Sequence, residues 1–207
     1  MLARWMRRVA VAAPGFFLIV NDASAHHVMG GKTPASFAEG VLSGLGHPII
    51  GPDHLAFLVA LGVAVGVFRL SLANPFLFLA AMAGGVAVHV AAIALPGAEL
   101  IVAASVLLAG ALLAVERQIA SGWWTALFVV AGFFHGYAYG ESIFGAEPTP
   151  LAAYLIGLVA VQTALTIGVA LASRALWKAS ALAPRLAGAA VGGVGFAALI
   201  AQIVPAP

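Results

Sequence analysis

Two stretches of this chain gather side chains able to bind a cation. The first runs from Gly46 to His54, GHPIIGPDH, and sets five residues between His47 and the pair Asp53-His54. Pro48 biases His47 away from helical geometry. Gly51 and Pro52 break the chain again, so His47 is expected on irregular backbone and Asp53-His54 at the start of the next helix. Irregular backbone at membrane depth is tolerated where it is buried in protein or lines a cavity. Two imidazoles and a carboxylate beside such a break suit a borderline divalent ion such as nickel, cobalt or zinc. Taken singly, each residue has a plainer role, Asp53 as a helix N-cap and the histidines as interfacial hydrogen bonders. Together the three favour a site.

The second stretch is FFHGYAYGES, Phe133 to Ser142. His135 and Tyr139 are four apart and share a helix face. Gly136 and Gly140 share the same spacing and permit close helix contact. Glu141 can join His135 at one site only if the helix end distorts, which Gly140 allows. The plainer alternative is a glycine seam with a histidine bonded to a neighbouring carbonyl. His89, alone within GGVAVHVAA, is a third contributor. The chain has no cysteine, so any metal must be held by imidazole, carboxylate, carbonyl or water.

The elements that must position these groups are membrane helices. Of the 207 residues, 63% are hydrophobic and 8% charged, and the mean hydropathy is +1.10. A soluble surface needs far more charge, roughly 25% in a typical domain. The polar residues do not alternate as an outer-membrane barrel requires. Residues 1–25 read as a cleavable signal peptide: a basic start with Arg4, Arg7 and Arg8, a short apolar run, and Ala23-Ser24-Ala25 before the cut. The other reading is a retained anchor helix. Cleavage leaves equal numbers of acidic and basic side chains, so the basic pI marks the signal and not a nucleic-acid surface. It also exposes His26 and His27 at a new N-terminus, as a candidate outer capture pair.

The mature chain, 26–207, is expected to be one all-α domain of six spans, near 49–68, 75–95, 98–116, 123–143, 150–172 and 186–204. The apolar piece 40–52 makes a broken segment before the first. Arg69, Arg117, Arg174, Lys178 and Arg185 then fall in inner loops and only Lys32 outside, as the positive-inside rule asks. Both mature termini are thus placed outside the bacterial inner membrane. Glu39, Asp53, Glu99, Glu141 and Glu147 gather toward the outer face, which concentrates cations. His47, Asp53, His54, His89, His135 and Glu141 all fall in the outer half of the membrane, where ionisable groups are costly and usually functional. Glycine pairs at Gly40/Gly44, Gly62/Gly66 and Gly188/Gly192 suit close helix packing. Trp123-Trp124 suit an interfacial belt.

With its export signal, six spans and two motifs, His47-x5-Asp53-His54 and Phe134-His135-Gly136-x-Ala138-x-Gly140-Glu141, the chain resembles the HupE/UreJ family of bacterial membrane proteins over nearly its whole mature length. Where that family usually shows a histidine, this chain has Tyr139, and a phenol with a pKa of about 10 is a poor nickel ligand near neutral pH. The resemblance implies nickel or cobalt permeation linked to hydrogenase or urease supply, with the ion as cargo, no permanently bound cofactor and no enzymatic activity. Two other readings remain from the residues: a membrane haem protein with His89 and His135 as axial ligands, and a metal-retaining membrane enzyme using Asp53 or Glu141 as base. Oligomeric state is not legible.

Overall fold

A computed structural model describes residues 32–116, 118–176 and 182–204. The signal segment 1–25 and the His26-His27 pair lie outside the described residues. Among the described residues the elements are seven α-helices and one 3-10 turn: α1 Phe37–Ile50, α2 Pro52–Val67, α3 Ala73–Val90, α4 Ala98–Ala114, α5 Ser121–Gly140, the turn Glu141–Ile143, α6 Pro148–Leu176 and α7 Leu182–Ile203. Each of the six segments expected from the sequence carries one helix, α2 to α7. Helices α3, α6 and α7 are each long and apolar enough to cross a bilayer alone, and α1 with α2 makes a fourth candidate bent by 78°. At 17 residues α4 is shorter.

Helix α2 is apolar on every face and therefore belongs in the centre. Its side chains are buried nearly all round, with Phe57, Leu58, Leu61, Ala64 and Val65 at 0% exposure. It packs against α4, α6 and α7. Around it the helices pair along glycine seams, as their spacing suggests. Gly40 and Gly44 bring α1 against Pro150 and Tyr154 of α6. Gly62 and Gly66 bring α2 against Thr166 and Ala170 of the same helix. Gly132 and Gly136 lay α5 on Phe78 and Met82 of α3, and Gly188 lays α7 on α4. One helix, α6, thus runs beside both α1 and α2. Its 29 residues reach about 43 Å, enough to flank both. At the far end of α2, Arg174 Nη2 donates to the Leu70 carbonyl at 2.7 Å, joining α6 to the turn that ends α2.

Two local expectations change. His47 does not sit on irregular backbone: α1 continues through Pro48 to Ile50, and the break falls at Gly51. The steric bias before proline is a preference, and here Pro48 forgoes the single N–H bond that would reach the Gly44 carbonyl while α1 ends two residues later. The tryptophan pair also splits. Trp123 is 70% exposed, but Trp124 is 1% exposed and stacks on Phe68 at 5.4 Å between ring centroids.

Candidate functional site

The break at Gly51 brings the last turn of α1 and the first turn of α2 to the C-terminal end of α5. Pro52 opens α2, where its missing N–H is no loss. Asp53 Oδ1 accepts the His54 backbone N–H at 2.8 Å, so Asp53 stabilises the first turn without being the cap residue, which is Gly51. His47, His54 and His135 are all buried, at 3%, 4% and 0% exposure, and they meet. The His54 and His135 Nδ1 atoms are 2.8 Å apart. The His47 and His54 ring centroids are 5.6 Å apart.

Tyr139 fills the space beside them. Its ring lies 5.0 Å from His47 and 4.4 Å from His54, one turn beyond His135 on the same face, as the spacing requires. Its hydroxyl is buried and has no hydrogen-bond partner. An orphaned buried hydroxyl costs about 1–3 kcal/mol, and such groups are held where something else engages them.

Hydroxyls ring the cluster. His47 Nδ1 is 3.0 Å from both Ser142 Oγ and Tyr154 Oη, and Tyr154 donates to the Tyr139 carbonyl at 2.8 Å. His135 Nε2 is 3.1 Å from Ser105 Oγ, which donates to the Val102 carbonyl at 2.7 Å. Among the described residues, no three His, Asp or Glu side chains are arranged as a ready-made ion cage. In this conformation His54 and His135 bond each other.

The six expected ligands therefore fall into two groups. His89 and Glu141 do not join the three histidines. Helix α5 ends at Gly140, and Glu141 starts the 3-10 turn at the surface. There it lines a cavity of about 540 Å³ with His89, Glu99, Tyr137 and Gln202. His89 Nδ1 is buried without a partner, and its ring packs 4.6 Å from Tyr137. Asp53 links the groups, standing within electrostatic reach of Glu99, His135 and Tyr139.

Sequence reasoning missed Ser105, Ser142 and Tyr154, and gave Glu99 only a place on the outer face. It also missed Gln162 on α6, which is fully buried with both amide atoms unbonded. All but Glu99 are uncharged polar groups in apolar runs, and that is the signal available: in a span such a side chain is expensive unless engaged.

An all-helical membrane protein with a buried histidine cluster and, apart from it, a carboxylate-lined cavity is the class that fold and site define. The HupE / UreJ protein family profile matches residues 15–198. Protein HupE of Rhizobium leguminosarum bv. viciae is 33% identical over 168 residues, 79% of this chain and 86% of that protein. The chain belongs to the HupE/UreJ family. No solved structure matches it.

Proposed function

We propose that the protein carries a divalent transition-metal ion, nickel first and cobalt next, across the bacterial inner membrane, as a permease and not an enzyme. The observation that carries this reading is the meeting of His47, His54 and His135 from three helices around the unbonded Tyr139 hydroxyl. The ion is cargo. It is gathered by the outer cavity with Glu99, Glu141 and His89, and exchanges water for Asp53 and the imidazoles. It then leaves inward past Gln162. Mixed imidazole and carboxylate donors hold such an ion strongly enough to admit it and weakly enough to release it. His26 and His27 would add an outer capture point after cleavage. Helices α2 to α7 serve as the six spans, with α1 as the broken piece before them and both mature termini periplasmic. The haem reading gains no support: His135 has both ring nitrogens engaged by Ser105 and His54, and His89 lines a cavity that His135 does not reach.

The test is uptake of nickel, cobalt, zinc and manganese into proteoliposomes. His47→Ala, Asp53→Ala and His54→Ala are each expected to abolish uptake while the protein still inserts. Near-normal uptake in any two of them would sink the site. A reporter fused after Ser173 should be cytoplasmic and one fused at Pro207 periplasmic.

A further inference from the structure

The glycine seams that join the helices repeat one another residue for residue. A Cβ placed at Gly40 of α1 would meet the Pro150 carbonyl of α6, and one at Gly44 the Tyr154 carbonyl. In return, a Cβ at Gly157 of α6 would meet the Val41 carbonyl and the Leu45 amide. In the second pair, Gly132 and Gly136 of α5 meet the Phe78 and Met82 carbonyls of α3, and Gly85 of α3 meets the Phe133 carbonyl and the Tyr137 amide. Every spacing is kept. One step along the chain carries Gly40, Val41, Gly44 and Leu45 onto Gly132, Phe133, Gly136 and Tyr137, and another carries Pro150, Tyr154 and Gly157 onto Phe78, Met82 and Gly85. The contact of α1 with α6 is therefore the contact of α5 with α3, made a second time. The seam of α4 and α7 repeats within itself: Gly110 meets the backbone N and Cα of Gly192, and Gly195 meets the same two atoms of Leu107.

Residue numbers rise together along α1 and α6, and along α3 and α5, so each of these pairs is parallel; along α4 and α7 they run in opposite senses. With six alternating spans, and α1 as the broken first piece that α2 continues, α1 and α6 run inward while α3 and α5 run outward. Exchanging the two parallel pairs thus turns the molecule over in the membrane and carries α1, α3 and α4 onto α5, α6 and α7. The antiparallel α4 and α7 map onto each other under the same two-fold rotation. The match reaches the site. His47 stands seven residues after Gly40 and Tyr139 seven after Gly132, so each is the other's counterpart, and their rings meet at 5.0 Å. Residues that touch their own counterparts lie beside the axis.

Resting on the cation-transport reading above, we propose that the protein is an inverted repeat of two three-span halves whose axis passes between His47 and Tyr139, and that it carries its ion by alternating access. Inverted repeats hold their site at the interface and expose it by rocking one packed bundle against the other. The glycine seams bind α1 to α6 and α5 to α3, so these pairs move as units. Between them, in this conformation, a buried aromatic column closes one side of the site. Phe57 of α2 lies 4.7 Å from His135 and 6.4 Å from Phe128 of α5. Further along α5, Trp124 lies 5.6 Å from Phe128 and 5.4 Å from Phe68 at the end of α2. Rocking parts this column and admits water to the site from the inner end.

The chain has no cysteine, so single cysteines read the motion without background. Ala131 of α5 is fully buried on the helix face that carries Phe128 and His135, turned toward α2 and so between the moving bodies. Ala153 of α6 is equally buried but lies inside one body, on the seam with Gly40. In nanodiscs, a water-soluble maleimide should modify Ala131→Cys at least about tenfold faster than Ala153→Cys, because opening is confined to the interface between bodies. A smaller ratio overturns alternating access, since one fixed packing exposes neither site. Inversion is read in spheroplasts with an impermeant maleimide. Of two exposed positions, Thr33→Cys before α1 should be labelled from outside and Ala120→Cys before α5 should not; any other pattern overturns the repeat. Nickel uptake into proteoliposomes separates the two readings. Uptake with a protected Ala131→Cys refutes alternating access and leaves transport standing, whereas a reactive Ala131→Cys without uptake refutes transport and leaves the repeat.

Discussion

The placement of His135 depends on how closely α5 lies on α3, and one methyl group tests it. A Cβ at Gly136 would press hardest on the Met82 carbonyl and sit 2.7 Å from Met82 Cα, so the helices must part by at least the 0.7 Å that separates this from the 3.4 Å where ordinary contact begins. The obstacle is backbone. A shift of 0.7 Å in α5 equals the difference between the 2.8 Å His54–His135 contact and a distance at which no hydrogen bond forms. Overpacking of this kind costs about 1–3 kcal/mol. Gly84 on α3 is the control: it is exposed and a Cβ there meets nothing within 4 Å. Gly84→Ala should be neutral or gain up to about 1 kcal/mol from the stiffer chain. Thermal unfolding in detergent should show Gly136→Ala lower by about 6 °C for a cost of about 2 kcal/mol, with Gly84→Ala unchanged or higher. Nickel uptake should fall tenfold or more in Gly136→Ala only, because small misplacements of an oriented group are expensive. A Gly136→Ala protein with wild-type stability and uptake refutes the argument.

Tyr139→His puts a third imidazole against His47 and His54. Uptake kinetics should show higher apparent nickel affinity with a maximal rate level or lower. That gain should fade below about pH 6, since protonated imidazole cannot ligate. An unchanged affinity would mean that Tyr139 only packs. Gln162→Leu removes two unbonded amide atoms and should raise the unfolding temperature by the equivalent of about 1 kcal/mol while lowering uptake. Uptake at the wild-type rate would take Gln162 off the path. Ala92 ends α3 with a φ of 58°, a left-handed geometry that suits glycine. Ala92→Gly should therefore stabilise the protein by about 1 kcal/mol with uptake unchanged, measured by the same melts.

The sequence by itself marked most of the helices and several of the glycine contacts, though not α1 running on through Pro48. Charge-free runs marked the six segments that became α2 to α7, because a span can hold few charges. Gly40, Gly44, Gly62, Gly66 and Gly188 were recognisable as packing sites from their four-residue spacing alone. The pairing of His47 with His54 was also legible, since both lie on one short stretch. The grouping of distant ligands was not. His135 joins that pair while Glu141, six residues later, lines the cavity with His89 and Glu99, and only the end of α5 at Gly140 decides between them. Apolar sequence cannot say which face of a span meets lipid and which meets protein, since both are equally apolar. Trp124 entered the core and Trp123 did not for a reason the pair of letters does not carry. The Ser105 and Tyr154 hydroxyls meet the histidines only because helix packing brings α4 and α6 within hydrogen-bond distance of α5 and α1. Such bonds form at about 3 Å, and no local pattern in the chain encodes a distance between helices.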